Sequence, residues 1–167
     1  QEYAAGVAAA ATLATIGVSR LGERVSEIAG RFYGEPSASM AVIGVTGTNG
    51  KTTCTQLIAQ AFELLGTRYG VIGTLGWGFP GRLDVTAHTT PDAVSLQQML
   101  ARLRRDGAAG AALEVSSHAL KQGRVRAVRF ETAIFTNLTH DHLDYHGSFE
   151  DYGASKQMLF AFERLSH

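Results

Sequence analysis

The chain has 167 residues, a length typical of about one domain, and 45 % of them are hydrophobic while 18 % are charged. Fifteen basic and fifteen acidic residues leave no formal net charge. This balance disfavours nucleic acid or an anionic membrane as the main partner, because both select a basic excess. The single cysteine, Cys54, excludes an internal disulfide and therefore a disulfide-stapled secreted domain. The composition predicts a globular protein of a reducing compartment.

The N-terminal region is predicted to be helical and separate from the rest. Residues 1–17 are rich in alanine, lack the basic leader of a signal peptide, and contain no apolar run long enough to span a bilayer. Apolar positions in residues 20–32 recur every three or four residues and predict an amphipathic helix, and the turn-rich residues 33–39 follow it. We interpret residues 1–38 as a helical remnant of, or linker from, an upstream domain, and residues 39–167 as a second domain.

Beyond this boundary, predicted strands and helices alternate. Short apolar runs rich in β-branched residues predict buried strands, and helical periodicity predicts helices. Residues 76–84 are rich in glycine and proline and predict a loop. The order predicts an α/β fold, a mostly parallel sheet with helices on both faces. The predicted strands are 40–45, 69–74, 111–115 and 132–135, and the predicted helices are 51–65, a segment from about 90 to 107, and a segment from 148 onward.

Three details of the helices can be predicted from local pattern. The apolar residues Leu57, Ile58, Ala61, Phe62 and Leu65 predict the buried face of the helix over 51–65. In the next helix, the run Thr90-Pro91-Asp92 predicts a threonine cap, a proline in the first turn and an acid near the positive end of the helix dipole. Ser148-Phe-Glu-Asp151 predicts a capping box at the last helix.

The sharpest motif is GVTGTNGKTT, residues 44–53, between the first strand and its helix. A glycine-rich turn lets backbone N–H groups approach phosphate closely, and the helix N-terminus adds positive potential. Lys51 would reach the terminal phosphates, and the Thr52 hydroxyl would bind Mg²⁺. Val45 stands where the strict pattern G-x-x-x-x-G-K-[ST] requires glycine. The order of strand, turn, Gly-Lys-Thr and helix still favours a phosphate loop over an ordinary glycine turn.

Three other features could carry chemistry. The segment NLTHDHLDYH, residues 137–146, has three histidines and two aspartates, which indicates a metal or catalytic site, a zinc hydrolase site, or a solvated polar loop. Glu114 ends an apolar run that should be a buried strand, where an unpaired carboxylate is costly, so we expect it to meet a cation. Lys156 interrupts an apolar helix face and either extends to water or is a desolvated amine with altered chemistry.

Together these motifs resemble the Mur ligases, the ATP-dependent amino-acid ligases of bacterial peptidoglycan synthesis. The resemblance runs from about residue 31 to the C-terminus and is closest to the family member that adds the third amino acid. Folylpolyglutamate synthetases share the phosphate loop but are less similar in the later motifs. The motifs that carry the resemblance are GVTGTNGKTT (44–53), HTTPD (88–92), EVSSHAL (114–120), TNLTHDHLDYHG (136–147) and YGASKQML (152–159).

The resemblance implies a set of functional residues. Catalysis would depend on Lys51, Glu114, His142 and Lys156. Thr52 and Glu114 would hold one Mg²⁺, and His142, Glu114 and Lys156 would hold a second metal, with the lysine carried as a carbamate. ATP would be bound by Gly47, Thr48, Asn49, Gly50, Lys51, Thr52 and Thr53. The UDP-N-acetylmuramoyl dipeptide would be contacted by Thr89, Thr90, Ser116, Gln122 and Arg124, whereas His88 stands where the family pattern has asparagine.

The resemblance also implies a reaction and a setting. A carboxylate of the dipeptide would attack the γ-phosphate of ATP to give an acyl phosphate, and an incoming amine, meso-diaminopimelate or L-lysine, would displace phosphate. The protein would be a cytoplasmic monomer without membrane or nucleic-acid partners. Residues 39–167 would be an incomplete central ATP-binding domain without the C-terminal amino-acid-binding domain, so we expect this chain alone to be inactive. The alternatives are a zinc hydrolase and a phosphate-loop binding module without chemistry.

Overall fold

The computed structural model describes residues 16–162, so the prediction for residues 1–15 lies outside the described part of the chain. A 3-10 turn follows the first helix at Pro36–Ala38, and a second one covers Met158–Ala161. The helices are α1 (Leu21–Phe32), α2 (Lys51–Leu64), α3 (Ala93–Arg105), α4 (Ser117–Lys121), α5 (Leu143–His146) and α6 (Phe149–Gln157). The strands are β1 (Ala41–Thr46), β2 (Tyr69–Gly73), β3 (Gly76–Phe79), β4 (Arg82–Asp84), β5 (Gly110–Glu114) and β6 (Thr132–Phe135).

The strands form a six-stranded sheet in the order β4-β3-β2-β5-β1-β6. The β2–β5, β5–β1 and β1–β6 pairs are parallel, whereas β3 pairs antiparallel with both β2 and β4. The prediction of a mostly parallel sheet is confirmed. Because β1, β2 and β5 run in the same direction, the loops that follow them gather at one edge of the sheet, which is where α/β proteins place their ligands.

The predicted loop over residues 76–84 is wrong, because these residues form the β3–β4 hairpin. Gly76 and Gly78 have φ angles of +131° and +142°, and a Cβ on either would lie 2.5 Å from a backbone oxygen of β4. Glycine therefore permits the close approach of the two strands. A composition of glycine and proline predicts a loop because it lacks the β-branched residues that usually mark strands.

Helices cover both faces of the sheet, as predicted. On one face Val42 packs with Leu96 and Leu100 of α3 and with Phe130, and on the other face Val45 packs with Ala59 of α2. This double coverage explains why β1 and β5 read as continuous apolar runs rather than as alternating ones. Their backbone is fixed by burial, and this fixes the position of the loops at their carboxyl ends.

The buried face of α2 differs from the prediction. Thr55 and Ala59 are buried, and the partly buried Ile58 and Phe62 pack against the same cluster. Phe62 also stacks on Tyr69 of β2, with 3.9 Å between ring centroids. The predicted residues outside this face are exposed, with Leu57 at 60 % and Leu65 at 78 %, and Ala61 is exposed as well. The helix contacts the sheet through its smaller residues, because they allow close approach.

The helix caps agree with the predictions in part. Asp92, not Thr90, caps α3, and its carboxylate accepts hydrogen bonds from the N–H groups of Val94 and Ser95. Thr90 is instead buried at the end of β5, where its hydroxyl donates to the carbonyl of Glu114. The Ser148 hydroxyl caps α6 by accepting from the Asp151 N–H at 3.1 Å, as predicted.

Helix α1 packs against α3 and is tied to the rest of the described chain by side chains. The buried Ser26 hydroxyl donates to the carbonyl of Arg124 and accepts from the N–H of Ala127. The domain boundary after residue 38 stays a prediction. Within residues 16–162, none of the helices has the length and apolarity required to cross a membrane.

Candidate active site

The phosphate-loop motif lies between β1 and α2, as predicted. Gly47 has a φ of +144°, and a Cβ there would collide with the hydroxyl of Thr136. Gly50 has a φ of +83° and precedes α2, which has no side-chain cap at its N-terminus. Because both positions need a left-handed conformation, glycine is the residue that lets the loop turn tightly into the helix.

Lys51 is folded back over this loop. Its ammonium donates to the carbonyl of Gly47 at 2.9 Å and to the carbonyl of Thr48 at 2.8 Å. Burial lowers the pKa of Lys51, while the nearby Glu114 carboxylate acts in the opposite direction. The ammonium of Lys51 therefore lies over the turn that leads into the N-terminus of α2. The ammonium and the helix N-terminus would both attract an anion at this place.

Glu114 is 1 % exposed at the end of β5. Its carboxylate accepts from the hydroxyl of Thr52 at 3.0 Å, and from the hydroxyl and the N–H of Thr74 at 3.0 and 2.9 Å. Gly73 leaves room for it, since a Cβ there would overlap the carboxylate. Three donors hold a buried anion beside the phosphate loop, so its orientation is fixed.

Lys156 reaches the same loop from α6. The side chain is buried, with the residue 2 % exposed, and its Nζ donates to the carbonyl of Gly47 at 2.8 Å. Burial, followed by the charge of Lys51, lowers the pKa of Lys156 from 10.5 to about 8. Of the two alternatives from the sequence, extension to water is therefore wrong and the amine is buried, while its altered chemistry stays a prediction.

Tyr152 joins α6 to the loop as well. Its ring centroid lies 4.3 Å from the Lys156 Nζ, and its hydroxyl lies 3.0 Å from the hydroxyl of Thr48. Thr48 in turn accepts from the N–H of Thr139. The N–H of Asn49 donates to the side chain of Asn137, which anchors the loop from the same segment. The phosphate loop, the 136–142 segment and α6 are thus held together by polar contacts.

The histidine-rich segment divides into residues with different environments. His142 has a φ of +53° and a half-exposed side chain whose Nε2 lies 3.5 Å from the Asp141 carboxylate. His140 is exposed and stacks on Phe149, whereas His146 is buried. Within the described residues, no group of three or more His, Cys, Asp or Glu side chains is arranged to hold a metal ion.

The five predicted substrate residues lie together at the carboxyl end of β5. The hydroxyl of Thr90 donates to the carbonyl of Glu114 at 2.8 Å, and the N–H of Ser116 donates to the hydroxyl of Thr90 at 3.0 Å. Arg124 donates to the carbonyl of Thr90 at 2.9 Å and to the side chain of Gln122 at 2.8 Å. Thr90, Ser116, Gln122 and Arg124 thus form a connected polar network at the backbone of Glu114, whereas the Thr89 hydroxyl contacts Thr74.

Sequence analysis missed two residues of this region. Thr74 makes two of the three contacts to Glu114, and Thr89 contacts its hydroxyl at 3.0 Å. The sequence signal for Thr74 was its place as the last residue of a predicted strand, at the edge where parallel strands end. The second is Tyr152, whose spacing of four residues from Lys156 places the two side chains on one face of the last helix.

Comparison with known proteins agrees with this geometry. The model of the Mur ligase middle domain matches residues 45–166. The UDP-N-acetylmuramoyl-L-alanyl-D-glutamate–2,6-diaminopimelate ligase of Ectopseudomonas mendocina is 60 % identical over 89 % of this chain. The enzyme of the same name from Pseudomonas aeruginosa is 57 % identical over 90 % of it. The chain spans 30 % of the length of the first of these relatives and 31 % of the length of the second.

Solved structures give the same result. A structure of a ligase with that name superposes with a TM-score of 0.78 at 39 % identity, and it covers 91 % of this chain and 32 % of its own. Escherichia coli FolC in complex with ADP superposes with a TM-score of 0.65 at 20 % identity, and the match covers 93 % of this chain and 42 % of the FolC chain. This match shows a similarity of fold. The resemblance found in the sequence motifs is confirmed, and the chain belongs to the Mur ligase family.

Proposed function

We propose that this chain is the nucleotide-binding part of an ATP-dependent ligase that joins 2,6-diaminopimelate to UDP-N-acetylmuramoyl-L-alanyl-D-glutamate. The substrates are those in the names of the relatives at 60 and 57 % identity. The observation that carries the proposal is the convergence of Lys51 and Lys156 on the carbonyl of Gly47, next to the buried Glu114 and Thr52 pair. A lysine cation, a second, buried lysine amine and a fixed carboxylate at a phosphate loop suit phosphoryl transfer.

The loop fits the phosphates of ATP. The uncapped N-terminus of α2 offers backbone N–H groups, and Gly47 and Gly50 remove the side chains that would block their approach. Lys51 supplies the positive charge above them. The residues proposed to bind ATP are Gly47, Thr48, Asn49, Gly50, Lys51, Thr52 and Thr53.

The oxygen atoms next to the loop fit Mg²⁺. A carboxylate and a hydroxyl are ligands that this hard cation prefers, and the Glu114 carboxylate and the Thr52 hydroxyl are already 3.0 Å apart. When bound, Mg²⁺ would offset the negative charge of the phosphates. Glu114 would orient Thr52, while Thr74 would hold the carboxylate in place from the other side.

The reaction would proceed in two displacements. A carboxylate oxygen of the dipeptide forms a bond to the γ-phosphorus while the bond to the ADP oxygen breaks, giving an acyl phosphate. The amine of diaminopimelate then bonds to the acyl carbon, phosphate leaves, and the amine loses a proton. Lys51 would stabilise the charge on the transferred phosphoryl group, which is the main contribution a protein makes to this chemistry. Thr89, Thr90, Ser116, Gln122 and Arg124 would orient the dipeptide.

Lys156 is proposed to act as a carbamate. With a pKa of about 8, the buried amine is partly neutral near pH 7.5, and the neutral form can add CO₂. A bond forms from Nζ to carbon, and Nζ releases one proton. The N–H that remains on Nζ can keep the hydrogen bond to the carbonyl of Gly47. The new carboxylate would then extend away from that carbonyl. With Glu114 and His142 it would hold a second metal ion.

Calorimetric titration with a non-hydrolysable ATP analogue, with and without Mg²⁺, tests nucleotide binding by this chain. We expect Lys51→Met to weaken binding under both conditions, because its ammonium contacts the loop itself. We expect Glu114→Gln to weaken binding in Mg²⁺ by about tenfold while the metal-free affinity changes little. Glu63→Gln, an exposed change on α2 with the same loss of charge, is the control.

Two results would contradict the proposal. Equal losses for Glu114→Gln with and without Mg²⁺ would assign the carboxylate a structural role only. Binding that is insensitive to Lys51→Met would remove the phosphate loop from the site. In the full-length ligase, sustained ADP release over many turnovers should require both the UDP-linked dipeptide and the amine, and Lys156→Arg should abolish acyl-phosphate formation. Ligation by the isolated chain would contradict the expectation that it binds nucleotide without joining substrates.

A further inference from the structure

His146 lies buried between α4 and α6, and none of the roles above uses it. Its side chain faces two buried serines, one on each helix, and the residue is 4 % exposed. The Nε2 atom lies 2.9 Å from the hydroxyl of Ser117, and the Nδ1 atom lies 3.2 Å from the hydroxyl of Ser155. The imidazole thus bridges two helices that are otherwise separate in sequence.

The hydrogen bonds around this ring have one consistent direction. The Ser155 hydroxyl donates its proton to the carbonyl of Asp151 at 2.8 Å, so it can only accept from the ring. A neutral imidazole with its proton on Nδ1 satisfies both contacts of Ser155 together. Nε2 is then the acceptor, and the Ser117 hydroxyl must donate to it. The chain Ser117 to His146 to Ser155 to Asp151 is fully satisfied by a neutral ring with this tautomer.

The two serines are neighbours of site residues. Ser117 is the first residue of α4 and directly follows Ser116, which belongs to the network around Thr90. Ser155 directly precedes Lys156 on α6. The ring therefore connects the start of α4 with the turn of α6 from which Lys156 reaches the carbonyl of Gly47.

We infer that His146 is a positioning residue, a neutral imidazole with its proton on Nδ1 that holds α6 against α4 and thereby keeps Lys156 at the Gly47 carbonyl. The relevance of Lys156 to the reaction rests on the proposed function, whereas the contact between the helices does not. Because a lysine side chain has many rotamers, the direction in which it extends depends on where its helix is fixed. The serine-to-serine bridge supplies that fixed point.

Three variants separate the two hydrogen bonds. His146→Asn places an amide N–H near the position of Nδ1 and can keep the bond to Ser155. His146→Gln places an amide oxygen near the position of Nε2 and can keep the bond to Ser117. His146→Leu fills a similar volume and keeps neither. His140→Gln is the control, because His140 is an exposed histidine of the same segment.

The readout is the rate at which Lys156 is acetylated by an amine reagent, measured by mass spectrometry on this chain under native conditions. Loss of the Nε2 bond leaves the buried Ser117 hydroxyl without its ring acceptor, whereas loss of the Nδ1 bond leaves Ser155 with the Asp151 carbonyl alone. An unmade buried hydrogen bond shifts the local opening equilibrium by about tenfold. We expect His146→Leu to raise the Lys156 rate about tenfold or more, Asn and Gln to give smaller increases, and His140→Gln to give none. Amide exchange in β5 serves as the internal reference for global unfolding.

A parallel rise in β5 exchange and Lys156 acetylation would overturn the inference, since the histidine would then stabilise the whole fold equally. The tautomer is tested without any variant, by ¹⁵N–¹H spectra of the imidazole in the wild-type chain. A proton on Nδ1 supports the bridge, and a proton on Nε2 would contradict it. Neither measurement uses nucleotide, so the inference can fail while the nucleotide titrations succeed, and the reverse also holds.

Discussion

Helices α2 and α6 both bring a lysine to the carbonyl of Gly47, but their N-termini are built differently. Helix α2 follows Gly50, which has no side chain to accept from the first turn, whereas α6 follows Ser148, whose hydroxyl accepts from Asp151. N–H groups without a side-chain acceptor can bind an anion, while capped ones stabilise the helix itself. The N-terminus of α2 is therefore arranged to bind a ligand, whereas the N-terminus of α6 is arranged to stabilise its helix.

The two lysines differ in a related way. Lys51 is only three and four residues from its acceptors, so its position depends on the loop conformation. Lys156 is 109 residues from Gly47 and depends on how α6 packs. A change in the loop should therefore affect both lysines, and a change in the packing or capping of α6 should affect Lys156 alone.

The largest effect is expected for Gly47→Ala, which changes the acceptor shared by the two lysines. Left-handed strain and the collision with Thr136 should together lower the free energy of unfolding by about 4 kcal/mol and abolish nucleotide binding. Gly66→Ala is the matched control, because Gly66 has a φ of +76° with open space around it, so it should lose only about 1–2 kcal/mol. Urea unfolding measures both variants, and equal losses would show that the collision contributes nothing.

Lys156→Met should remove a pH dependence of stability. Because the folded pKa of about 8 lies below 10.5, the unfolded chain binds more protons between these values, and stability should rise with pH through that window. The rise corresponds to about 3 kcal/mol. Urea unfolding at pH 7.5 and 10.5 should give a wild-type minus Met difference that increases by about this amount, since titrating groups away from Lys156 contribute equally to both proteins. A constant difference would mean that the amine is not desolvated.

Ser148→Ala removes the side-chain cap of α6. Loss of the cap should lower the free energy of unfolding by about 1 kcal/mol and leave the affinity for nucleotide unchanged, since α2 is not touched. Ser39→Ala is the control, because its hydroxyl makes only a 3.4 Å contact to Pro36. Reduced nucleotide affinity in Ser148→Ala would show that the two regions are coupled through α6.

The smallest effect is expected on the outer face of α2. Leu57 belongs to the face predicted from sequence but is 60 % exposed, so Leu57→Gln should change the free energy of unfolding by less than about 0.5 kcal/mol. Ala59→Leu on the buried face should cost about 2 kcal/mol, because the closely packed sheet leaves no room. Urea unfolding of the two variants checks the corrected assignment of faces, and the opposite ranking would restore the face predicted from sequence.

The parts of the site that depend on local pattern could be predicted from sequence. The phosphate loop needs a strand, two left-handed glycines and a helix start within ten residues, and the residues 44–53 carry all of these. Glu114 could be singled out because a carboxylate at the end of an apolar run is unusual. Lys156 could be identified as unusual for the same reason, although its burial could not be decided.

The remaining parts depend on contacts between distant residues. Which residues of α2 face the sheet depends on how closely β1 and β2 approach, and the apolar residues at the helix end, Leu64 and Leu65, lie beyond the contact. Thr74 acquires its role only because β2 pairs with β5 and brings it to Glu114. The bridge through His146 needs two serines 38 residues apart, Ser117 and Ser155, and no local pattern indicates their meeting.

The two outer strands of the sheet have opposite consequences for association. Strand β4 has three residues, of which Arg82 and Asp84 are exposed, and a short charged edge opposes the addition of another strand. Strand β6 pairs through one side with β1 in the described part of the chain, and its sequence Thr-Ala-Ile-Phe ends in the half-exposed Phe135. An apolar edge with unpaired backbone groups favours growth of the sheet. The β6 side is therefore the one that must be shielded for the isolated chain to resist aggregation at high concentration.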